Sequence, residues 1–79
     1  MSKVPYSYLE VEAIERDYDE QIALDVIAEN VNRDFHGGKS VRTVSSIKYV
    51  IRRVYRDDDW LNRLEEEWLA GLEEQKDES

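Results

Sequence analysis

Apolar residues recur three and four apart along most of this chain, and a glycine pair, Gly37–Gly38, interrupts them at one place. Gly71 and Pro5 are the only other glycine and proline. A 3.6-residue period with so few breakers dictates helices rather than strands. At 79 residues the chain holds one domain at most, 1–79. A core that small is marginal unless every helix contributes to it. The expected class is therefore all-α.

Four helices can be placed. Ser7 is an N-cap with Glu10 three residues on, the capping-box spacing, so helix 1 is expected over about 7–17 with Leu9, Ala13 and Ile14 as its apolar stripe. Asp19 is expected to cap helix 2, about 20–34, with the stripe Ile22, Ala23, Val26, Ile27 and either Asn30 or Val31, and Phe35 closing the core. After the double glycine, Thr43 caps helix 3, about 44–56, whose stripe is Val44, Ile47, Ile51 and Val54. Asp58 or Asp59 caps helix 4, about 59–74, with Trp60 or Leu61, Leu64, Trp68 and Leu72 on one face, and "KDES" reads as a frayed tail.

Several chemistries are excluded. Without cysteine there is no disulfide and no thiolate metal site, and His36 alone cannot build a zinc centre. "GGKS" lacks the upstream glycine of a phosphate loop, since position 33 is Arg, and no strand precedes it. Ser45 and Ser46 have no histidine base nearby in sequence. The expectation is no enzyme, no cofactor, no metal and no small-molecule substrate. No apolar run is long enough for a membrane and no signal peptide opens the chain, which predicts a soluble, cytoplasmic protein.

Charge is partitioned. The formal net charge is -8, yet residues 30–56 carry seven Lys or Arg against Asp34 alone. Residues 1–29 carry two cations against eight carboxylates, and residues 57–79 two against ten. A basic segment thus lies between acidic ones, and a polyanion at short range would sense it. Three short helices with a longer turn before a basic third one form the trihelical helix-turn-helix plan, in which the third helix enters the major groove.

"IAENVN" followed by "RTVSSIK" resembles the Myb/SANT-like, homeodomain-type helix-turn-helix family, through Ile27, Ala28, Val31, Arg42, Thr43, Ser46, Ile47 and Lys48. The resemblance spans about 7–56. The tryptophans that space a Myb core are missing, and Tyr49 stands where the family often has an amide. The resemblance implies sequence-specific binding of double-stranded DNA by a small regulatory or recombination accessory protein, associated with the nucleoid. Ser45, Lys48, Tyr49 and Arg52 would face bases, with Lys48 suited to guanine, while Lys39, Arg42, Arg53 and Arg56 would hold phosphates. Trp60, Leu64, Trp68 and Leu72 form either a helix folded on its own core or an interface to a homodimer mate or protein partner. The competing class is an acidic inhibitor, DNA mimic or adaptor acting on a protein.

Overall fold

The computed structural model describes residues 4–77, with side chains through residue 72. Among the described residues the chain is all-helical: α1 (Tyr8–Asp19), α2 (Leu24–Phe35), α3 (Val44–Arg56) and α4 (Asp58–Asp77). Residues 78–79 of the expected tail lie outside the described residues. No helix among them is long and apolar enough to cross a membrane.

Local chemistry sets each boundary. The Ser7 hydroxyl accepts the Glu10 amide at 3.3 Å, so half of the expected capping box forms. At its far end α1 closes with paired bonds, Ile22 N–H to the Asp17 carbonyl and Gln21 N–H to the Tyr18 carbonyl. That is the Schellman arrangement, and it needs a left-handed residue. Gln21 supplies it at φ 63. This corrects the start of α2 from residue 20 to Leu24, because the turn consumes Glu20 to Ala23. Asp19 consequently ends α1 and does not cap α2, whose N-cap, Ala23, has no side-chain bond to offer.

α3 has the expected limits. Thr43 caps it by accepting the Ser46 amide at 3.3 Å. Asn32 ties the preceding turn to α2 in both directions: its Oδ1 accepts from Arg42 N–H at 2.8 Å, and its Nδ2 donates to the Arg42 carbonyl at 3.0 Å. Asp57 alone separates α3 from α4, and its carboxylate accepts the Asp59 amide at 3.1 Å. The residue that turns the chain into α4 is therefore Asp57, not Asp58 or Asp59.

The core joins Val11 and Ile14 of α1, Ile27, Ala28 and Val31 of α2, Ile47, Val50 and Ile51 of α3, and Trp60 of α4. Each large side chain contributes roughly 1.5–3 kcal/mol by leaving water. The first three helices pack pairwise, and α4 lies against α1 and α3. The inward face of α1 runs through Glu10, Val11 and Ile14, which turns Leu9 outward. Val26 and Phe35 are likewise exposed, because Ile27, Ala28 and Val31 set the buried face of α2.

Candidate nucleic-acid interface

Ser45, Lys48, Arg52 and Arg56 recur every three or four residues and are all exposed on the outer face of α3. Lys39 is exposed in the turn between α2 and α3. Among the described residues, none of these four cations has a carboxylate within ion-pair distance. The surface pairs that do form, Arg16–Asp17, Arg33–Asp34 and Arg63–Asp57, each have an exposed arginine, lie elsewhere and contribute little.

Two expected contacts sit at the edge of this face, turned toward α4. Arg53 is half-buried, with its guanidinium 4.4 Å from the Trp60 ring centre. It also donates to the Tyr49 hydroxyl at 2.7 Å. The Tyr49 ring stacks on Tyr6 at 6.1 Å and meets Trp60 edge-on at 6.4 Å, yet stays 45% exposed. Tyr6, Ser45, Tyr49, Arg53, Trp60 and Leu64 line an open cleft of about 820 Å³ alongside α3.

Arg42 requires a correction. Expected on a phosphate, it is only 6% exposed. Its Nε and Nη2 donate to the two carboxylate oxygens of Glu10 at 2.6 and 2.9 Å. Nη1 and Nη2 donate to the Val4 and Pro5 carbonyls at 3.0 and 3.2 Å, and the guanidinium lies 3.9 Å from the Tyr6 ring centre. His36 Nε2 reaches Glu10 Oε2 at 2.8 Å. Burial alone would raise the Glu10 pKa, but the hydrogen bonds and charge of Arg42 and His36 outweigh it and hold the carboxyl below its ordinary range. With its donors engaged inside the fold, Arg42 orients the entry to α3 and offers no cation to a ligand.

The expected interface of α4 splits in two. Trp60 is 7% exposed and Leu64 packs on the core, so these belong to the fold. Trp68 and Leu72 remain exposed. Sequence reasoning missed the Glu10–Arg42–His36 cluster, whose members stand 26 and 32 residues apart. One signal was present: Glu10 lies four residues before Ile14 on the buried face, and a carboxylate there demands a cation.

No family model, curated protein or solved structure matches this chain.

Proposed function

We propose that this chain binds double-stranded DNA through the outer face of α3, in the manner of a trihelical helix-turn-helix protein. One observation carries the reading: in a chain of net charge -8, the exposed cations of α3 are left without carboxylate partners among the described residues. Many acids were at hand for internal pairing. A helix of 10–12 Å diameter fits a major groove roughly 12 Å wide. Lys48 and Arg52, with Ser45 about one turn before Lys48, face base edges. Arg56 and Lys39 at the two ends of the stripe hold phosphates. Tyr49 and Arg53 shape the edge nearest α4. The acidic segments on either side weaken non-specific attraction to DNA, so affinity depends on the fit of the stripe.

The test is fluorescence anisotropy with a labelled mixed-sequence duplex at low and moderate salt. Binding should fall steeply with salt and vanish in the Arg52→Glu/Arg56→Glu variant. Absence of binding at low salt, with circular dichroism showing a folded protein, would sink the reading.

A further inference from the structure

We infer that the distal half of α4 is a docking surface for a cationic amphipathic helix of another protein. This surface is separate from the outer face of α3 and does not depend on the DNA reading.

The helix has two halves with different fates. Trp60, Leu61 and Leu64 are spent on the core. Trp68, Leu69 and Leu72, farther along the same helix, are 37%, 47% and 40% exposed. Trp68 is held by Tyr8, the first residue of α1, with ring centres 5.3 Å apart. The Tyr8 hydroxyl donates to Glu12 at 2.6 Å and lies 3.3 Å from a Glu65 carboxylate oxygen. Beyond Trp68 the backbone of α4 continues to Asp77, about 13 Å further at 1.5 Å per residue. The spacing 68, 69 and 72 gives a stripe that a second helix can cover in ridge-and-groove fashion.

Charge selects the occupant. Residues 57–79 carry two cations against ten carboxylates, and Glu65, Glu66 and Glu67 immediately precede the stripe. A second α4 laid along this face would set acid against acid. The α3 face of a second copy supplies cations but no matching apolar ridge, since its outer positions are Ser45, Lys48, Arg52 and Arg56. An anionic lipid surface is repelled. A helix with leucine-like residues on one side and Lys or Arg beside them satisfies both the stripe and the acids.

The probe is a labelled 18-residue peptide of Leu and Lys with one apolar face, followed by anisotropy on the full chain. A scrambled peptide of the same composition is the control. The amphipathic peptide should bind and the scrambled one should bind much more weakly. Leu69→Ser/Leu72→Ser should reduce affinity by about tenfold or more, as expected for losing two apolar anchors. Both positions are exposed, and circular dichroism checks that the helix persists. Equal binding of the two peptides, or no effect of the double substitution on a folded protein, overturns the proposal. So does a wild-type dimer in light scattering that the double substitution disperses, since the occupant is then a second copy. The same variant should bind duplex DNA as the wild type does, which separates failure of this inference from failure of the DNA reading.

Discussion

Replacing Arg42 by Met is the most demanding perturbation of this fold. It leaves the Glu10 carboxylate buried with only His36 beside it. Stranding one member of a buried ion pair costs about 3–5 kcal/mol. A chain of 79 residues has a total stability of roughly 4–12 kcal/mol. Arg42→Met should therefore remove a large share of the stability and bring the urea midpoint close to zero in a marginal case. The Val4 and Pro5 carbonyls add little, because both residues are exposed and water can replace the guanidinium. Adding Glu10→Leu removes the stranded charge, and the double variant should recover to within about 1–2 kcal/mol of wild type. Urea titrations followed by tryptophan fluorescence and by circular dichroism at pH 7 measure both. Acid supplies the second arm. The Glu10 pKa is depressed in the folded state, so its stabilisation is present above the unfolded carboxylate value, near 4.3, and is lost as pH falls through the folded one. The double variant should lack this component and show a shallower decline below about pH 4.3. A loss under about 1 kcal/mol for Arg42→Met would refute the reasoning, as would a double variant no more stable than the single.

The two tryptophans should separate cleanly: Trp60→Ala costs about 3–5 kcal/mol as a core truncation, while the half-exposed Trp68→Ala costs clearly less, both read from denaturant melts. Gln21→Gly should raise stability by up to about 1 kcal/mol, since Gln21 holds a left-handed conformation that glycine adopts without strain, and a lower melting temperature would contradict this. Lys48→Ala should cost roughly 1–3 kcal/mol on a selected duplex and little on random sequence. Equal losses on both would remove Lys48 from base reading. With Arg42 buried and Arg53 turned to Trp60, Lys39, Lys48, Arg52 and Arg56 remain, so the slope of log K against log salt should be no steeper than about -3.6. A slope of about -4.5 would require a fifth cation on phosphate, such as Arg42 or Arg53.

The helices were legible wherever the pattern was long and the cap polar. Thr43 and Gly37–Gly38 located α3 to the residue. The α1–α2 boundary was not legible, because its left-handed residue is glutamine and no glycine or proline marks the turn. The buried face of α1 was legible at Ile14 but not at its first turn, for a related reason: Leu9 is the more apolar residue, but Glu10 goes inward because Arg42 meets it there. Periodicity reads side-chain polarity, and a buried ion pair reverses that signal. The exposed stripe of α3 was the easiest part to read, since charge at helical spacing opposite Ile47 and Ile51 has only solvent or a ligand to face.

The residues that carried the family resemblance and those that carry the proposed interface are largely different. Of "RTVSSIK", Arg42 clamps Glu10 and Thr43 caps α3. Ser46 donates the capped amide and Ile47 fills the core. Lys48 alone among the matched positions of that piece is exposed as a cation. The motif therefore specifies how α3 is mounted on α1 and α2, and it is silent on what α3 meets. A relative could keep every mounting residue and change its ligand by altering Ser45, Lys48, Arg52 and Arg56, because none of those four side chains packs in the core. In this chain three of those four outward positions are cationic, while the last helix is acidic and bears an exposed apolar stripe. The two proposed partners carry opposite charge, so engagement of one would not compete for the residues of the other. That separation is what an adaptor requires, and it makes duplex binding and peptide binding measurable on the same molecule at the same time.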